Sequence, residues 1–244
     1  MTIKDIISNV AVINESTVVT DAQVYALTYS LQLLTQNDFY PAWDIKSHVY
    51  NLDKSKPLPK GDWALVILDN ADQAGALGYH DLTSDGYPLG KVFAKTTMDA
   101  GENWTVTASH ELLEMLVDPY INLTTFNQTG NNSGRILPYE ACDAVQGSNC
   151  TFKIEGLEMS NFVYPTWFEG FRPANSCKFD LMGVLAQPFE VYHEGYISYF
   201  DVPNTRGWQQ IFAQTAPNPN VGHSQARKLL RARPKKFWKV STAK

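Results

Sequence analysis

The chain has 244 residues, of which 44% are hydrophobic and 18% charged, a profile that excludes a disordered protein. That length suits one large domain or two small ones sharing a core. No apolar run reaches the roughly 18–20 residues of a membrane helix. The opening stretch is broken by Lys4, Asp5, Ser8 and Asn9, so neither a membrane span nor a signal peptide is expected.

Residues 9–17 (NVAVINEST) predict a strand rich in β-branched residues. Thr20 and Asp21 then cap a helix running to about Gln36, with Val24, Leu27, Leu31 and Leu34 on one face. Residues 39–52 hold a second strand. The apolar run 63–68 (WALVIL) predicts a central strand buried on both faces. Residues 71–88 are rich in Gly and Asp and predict a loop, and Lys91 to Thr96 a short edge strand. A helix follows from Trp104 and stops before Pro119, which disfavours helical geometry at Asp118.

Beyond Pro119 a polar loop is expected up to Gly134. Short strands follow at 139–144, 150–154, 158–163 and 195–201, interrupted by the aromatic, Pro-containing passages 164–168 and 171–173. Cys142, Cys150 and Cys177 fit reduced thiols at least as well as a disulfide framework, and Cys142 and Cys150, which flank a turn at 146–149, could pair if oxidised. His48 and His193 lie in aromatic, strand-like stretches and read as structural; His223 opens the C-terminal tail. Met159 reads as a core residue.

The chemistry concentrates in the helix from Trp104. At about 100° per residue, with His110 at 0°, Glu114 falls at about 40°, Asp118 at about 80° and Glu111 at about 100°. Leu112, Leu113, Met115, Leu116 and Val117 fill the opposite arc. His110 and Glu114, one turn apart, can grip one cation, and Glu111 stands where a general base could take a proton from water. A solvated stripe would mix its signs. Here Glu114 and Asp118 repel each other near the helix C-terminus, and no Lys or Arg occurs from Thr96 to Gly134. Such a cluster calls for a cation, either a metal or a basic group from a distant segment.

The string His110-Glu111-Leu112-Leu113-Glu114 resembles the HExxH helix of zincin metallopeptidases, with Glu in place of the second His. The order of elements up to Pro119 is similar to the N-terminal half of that family, and residues 109–119 are also similar to strings in bacterial and phage proteins. The resemblance implies an α+β, zincin-like fold: a mixed sheet with an edge strand and an active-site helix, then a strand- and loop-rich C-terminal subdomain. The corresponding division is 1–118, 119–215, and a linker with basic tail at 216–244. It also implies His110 and Glu114 as ligands of zinc, or of another divalent cation since the second ligand is a carboxylate, with Glu111 as base. A third ligand must come from elsewhere. Glu140 and Asp143 rank first, from a short acid-rich segment flanked by an aromatic residue, and His80 is the alternative. Asp118 lies eight residues from His110, about 12 Å along the axis, so a supporting or capping role is expected of it.

Residues 227–244 carry eight basic side chains and no acid, leaving 12 basic and 25 acidic residues, a net of −13, for the remainder. Such a tail predicts docking onto an acidic protein surface or nucleic acid, within a larger assembly. Two functions are therefore expected to compete. One is a metal-dependent peptidase-type hydrolase acting on a peptide or protein. The other is a non-catalytic zincin-fold interaction protein, such as a phage virion component attached by its tail. The expected location is the cytoplasm, or the virion for a protein of phage origin.

Overall fold

The computed structural model describes residues 7–202 and 207–213; the linker 214–219 and the basic tail 227–244 lie outside them. A five-stranded sheet forms first, in the order β2-β1-β3-β5-β4, from β1 (Ile7–Asn14), β2 (Lys46–Leu52), β3 (Trp63–Leu68), β4 (Gly78–Leu82) and β5 (Pro88–Phe93). Strands β2, β1, β3 and β5 run parallel, and β4 closes one edge antiparallel to β5. The chain is thus mixed α/β with a mixed sheet.

As the apolar run 63–68 predicts, β3 is central and buried on both faces. Its Leu65 and Ile67 join Val10 and Val12 of β1 in one core, while Ala64 and Val66 join Ala11 and Ile13 in another. Both long helices, α1 (Asp21–Leu34) and α4 (Trp104–Val117), pack on the first of these faces through Val24, Leu27, Leu31, Leu112, Leu113 and Leu116. Thr20 and Gln23 close a reciprocal capping box on α1, and a single π-helical turn (Thr35–Phe39) leads into the short α2 (Tyr40–Trp43).

Two expectations are corrected beside α4. The edge strand is β4, drawn from the stretch expected to be a loop, whereas β5 is buried along its length between β3 and β4, and residues 94–99 form the short helix α3. The hairpin turns at Ser84-Asp85-Gly86, where Gly86 takes φ 82° and Thr83 N–H donates to Tyr87 O at 2.7 Å.

Beyond α4, the expected polar loop is a hairpin of β6 (Thr124–Gly130) and β7 (Ser133–Pro138). It pairs with β10 (Tyr196–Asp201) and β11 (Trp208–Phe212) in the order β11-β10-β7-β6. The small hairpin of β8 (Thr151–Ile154) and β9 (Leu157–Ser160) turns through Glu155-Gly156, both at positive φ. Residues 139–144, expected as a strand, form instead a turn ending in a 3₁₀ helix at Asp143–Val145. Cys142 and Cys150 are separate buried thiols, and Met159 is a core residue. Among the described residues no helix is long and apolar enough to cross a membrane.

Candidate metal centre

Helix α4 is enclosed on nearly every side, which explains its sequence. Asn103 caps it, its side-chain oxygen accepting from Thr105 N–H at 3.0 Å, and every residue but Val106 is buried. One flank faces β4 and β5. The other is tied to β9, where Thr105 Oγ1 donates to Glu158 O at 2.7 Å and Ser160 N–H donates to Ser109 Oγ at 2.8 Å. The polar stripe is therefore interior: His110 is 1% exposed, Glu111, Glu114 and Asp118 are 0%, and Asp143 is 1%. That result excludes a solvated helix face. Carboxylates buried so completely need compensation, since the penalty for a desolvated charge runs to several kcal/mol.

The turn 139–145 meets this stripe. His110 Nε2 stands 3.2 Å from Glu114 Oε1 and 3.2 Å from Asp143 Oδ1. Glu114 Oε1 also accepts from the backbone N–H of Cys142 at 3.2 Å, so the turn is hydrogen-bonded to the helix at the point where Asp143 arrives. The turn is held from behind as well: Val163 N–H donates to Ala141 O and Tyr192 N–H to Ala144 O, while Tyr139 stacks on Phe168 at 4.2 Å. Burial alone would push the His110 imidazole down. The neighbouring Glu114 charge and the hydrogen bonds to Asp143 and Glu114 outweigh it and hold the group up at about 10. Burial, reinforced by Glu114, also raises the Cys142 thiol well above its usual range, so it stays protonated.

Strand β4 supplies the third side. His80 Nδ1 lies 3.7 Å from Glu111 Oε2 and 3.9 Å from Glu114 Oε2, and its Nε2 lies 3.9 Å from Glu140 Oε2. The approach of β4 to α4 depends on Gly78: a Cβ there would stand 2.8 Å from Glu111 Cγ and 2.8 Å from Thr107 Cγ2. Lys91, the cross-strand partner of Tyr79, points to the opposite face of the sheet, where its Nζ donates to Asp72 at 2.6 Å and to the Tyr79 hydroxyl at 2.7 Å. Asp118 caps the chain beyond α4, its Oδ1 accepting from Asn122 and Leu123 N–H.

Two buried groups could each hold a metal ion: His110, Glu114 and Asp143, and His80, Glu114 and Glu140. Their donors, imidazole nitrogen with carboxylate oxygen, suit a borderline divalent cation. Around one ion at about 2.0–2.4 Å, ligand atoms stand roughly 3–4 Å apart, and those of each group lie within 4.8 Å of one another. His80, His110, Glu111, Glu114, Glu140 and Asp143, all singled out from the sequence, thus converge, while Asp118 caps the chain beside them. His48, exposed and stacked on Tyr50, and His193, exposed beside Tyr192, stand apart. Gly78, Gly195 and the Cys142 amide were not singled out. The Asp85-Gly86 turn was the signal that could have located β4, and with it the surroundings of Gly78.

A cavity of about 290 Å³ opens beside His110, lined also by Thr107, Gln146, Ser148, Glu158 and Glu194. Glu111 and Glu140 do not line it. No protein-family model matches the chain, and no curated protein or solved structure matches it either.

Proposed function

We propose that this chain is a divalent-metal protein on a zincin-like scaffold, a zinc-dependent hydrolase of the peptidase type. The observation that carries the reading is His110 Nε2 at 3.2 Å from both Glu114 Oε1 and Asp143 Oδ1. That nitrogen carries a single proton for the two carboxylates to share, and a divalent cation in its place would be held by all three donors at once. An antiparallel edge strand lying against a helix with His-Glu-x-x-Glu spacing supports the same scaffold. A bound zinc ion supplies Lewis acidity, polarising a carbonyl and acidifying a water. Glu111 is the proposed proton acceptor, and the cavity beside His110 would admit the substrate.

One observation favours the second reading, a non-catalytic interaction module. Glu111 is fully buried beneath Gly78 and beside His80, and the cavity next to His110 does not reach it. In that reading the metal is structural and the basic residues 227–244 dock onto an acidic surface of a larger assembly. The deciding experiment is elemental analysis of the purified full chain, followed by turnover of a mixed peptide library. The hydrolase reading expects bound zinc, lost in His110→Ala together with peptide cleavage. Stoichiometric metal without cleavage establishes the second reading instead. No metal at saturation overturns both.

A further inference from the structure

The two buried groups share a residue, and that residue faces them with different atoms. Glu114 Oε1 is 3.2 Å from His110 Nε2 on one side, while Oε2 lies 3.9 Å from His80 Nδ1 on the other. Resting on the metal reading above, we propose that the centre binds two divalent cations, one held by His110, Glu114 and Asp143 and the other by His80, Glu114 and Glu140, with the Glu114 carboxylate bridging them. Paired cations in hydrolytic centres stand about 3.5–4 Å apart, a span that the two oxygens of one carboxylate can bridge.

Three observations carry the second position. One ligand atom each from His80, Glu114 and Glu140 lie within 4.8 Å of one another, all three residues being buried, with His80 Nδ1 3.9 Å from Glu114 Oε2. The donor types repeat those of the first group: one imidazole and two carboxylates. Independently of both, Asp118 Oδ2 is buried and has no hydrogen-bond partner among the described residues, although Oδ1 of the same carboxylate accepts two backbone N–H bonds. Burial raises the Asp118 carboxyl against the lowering effect of the Asn122 and Leu123 N–H bonds, with Glu140 and His80 among the charges acting on it. Asp118 is one turn beyond Glu114 and so on the same side of α4. It is a positioning residue for the second ion, or a further ligand to it.

The two positions differ in access. His110 borders the 290 Å³ cavity, whereas neither His80 nor Glu140 lines it. The second ion is therefore expected to exchange more slowly than the first.

The test is titration of chelator-stripped full-length protein with Zn²⁺ and, separately, Mn²⁺, with metal content read by elemental analysis and fold by circular dichroism. Two equivalents per chain are expected, one removed rapidly by chelator and one at least tenfold more slowly. His80→Ala and Glu140→Gln should each retain one equivalent, His110→Ala should lose the fast one, and Glu114→Gln should weaken both. The Mn²⁺-loaded protein should show exchange coupling by electron paramagnetic resonance, which disappears in Glu140→Gln. A single equivalent at saturation, unchanged in folded His80→Ala and Glu140→Gln, overturns the second ion and leaves the metal reading standing. Zero equivalents overturns both. If His80→Ala does not fold, His80→Asn and the wild-type stoichiometry decide.

Discussion

The two sides of the centre are built differently. His110, Glu111 and Glu114 sit on a capped, regular helix packed against a sheet, with spacing set by helical geometry alone. Glu140 and Asp143 come from an irregular turn whose position depends on single contacts: the Cys142 amide on Glu114, the Ala141 and Ala144 carbonyls, and the Tyr139–Phe168 stack. The helix brings its residues together before any cation binds, whereas the turn must be docked. The comparison teaches that Glu114 is the joint between the two, since the same oxygen faces His110 and accepts from the turn.

The largest effect should follow from breaking that joint. Glu114→Gln keeps the shape of the side chain but removes its charge. If three ligands share the 10–16 kcal/mol typical of a tight zinc site, losing one should cost on the order of 10³-fold in affinity. Calorimetric titration with Zn²⁺ checks this, and an affinity within tenfold of wild type would remove Glu114 from the ligand set. Glu111→Gln tests the helix side alone. It should keep the metal and the fold while lowering hydrolysis of any peptide found to be cleaved by about 10² to 10⁴-fold. Equal rates for the variant and wild type would end its assignment as base.

Protons sharpen the same comparison. In the metal-free protein His110 is held up at about 10 against an ordinary 6.5, because both the helix carboxylate and the turn carboxylate face it. A raised pKa of this kind stabilises the folded state fully below about 6.5, and the contribution is lost as pH rises through about 10. A bound metal would have to displace that proton. Binding at pH 7–9 should thus release about one proton from His110, and affinity should climb up to tenfold per pH unit across that window. Calorimetry in buffers of different ionisation enthalpy measures the release. A flat affinity from pH 7 to 9 would show that His110 is already neutral, and so that the turn carboxylate does not act on it.

The helix side was legible in the sequence because its information is local. The apolar arc and the His-Glu-x-x-Glu spacing both lie within the helix Trp104–Val117, and β3 announces its burial through six consecutive apolar residues. The edge strand β4 was not legible as a strand because of its composition. Gly78 and His80 occupy the face turned to α4, where a structural strand would carry apolar side chains, so alternation gave way to a loop-like composition. The hairpin β6–β7 failed differently: most of β6 is exposed, and nothing apolar marks a period. The acid-rich segment 139–143 pointed to Glu140 and Asp143, but its strand-like composition hid a turn, because what shapes it is the contact of its backbone with Glu114 and with segments 20 to 50 residues away.

The smallest effect expected is also the one that separates the two sides most cleanly. A Cβ at Gly195 would stand 2.5 Å from Ala144 O and 3.0 Å from Asp143 O. Both are backbone atoms of the turn, so nothing can rotate aside and the turn itself must retreat, taking Asp143 with it. A Cβ at Gly78 would press instead on the side chains of Glu111 and Thr107, and on Lys91 O at 2.9 Å. Overpacking of this kind costs about 2 kcal/mol, a fall in Tm of roughly 4–8 °C for a chain of this length, and both Gly195→Ala and Gly78→Ala should show it. They should differ in what else they lose. Moving Asp143 by a few tenths of an ångström should weaken the first cation on the order of tenfold in Gly195→Ala, a cost typical of disturbing the support of a metal ligand. Gly78→Ala should bind that cation as wild type does, because His110, Glu114 and Asp143 do not touch the added methyl. If Gly195→Ala lowers Tm but leaves Zn²⁺ affinity unchanged, Asp143 is not held by the turn in the way the contacts imply. If Gly78→Ala loses affinity equally, the helix side is not the pre-set half of the centre, and the contrast between the two sides fails.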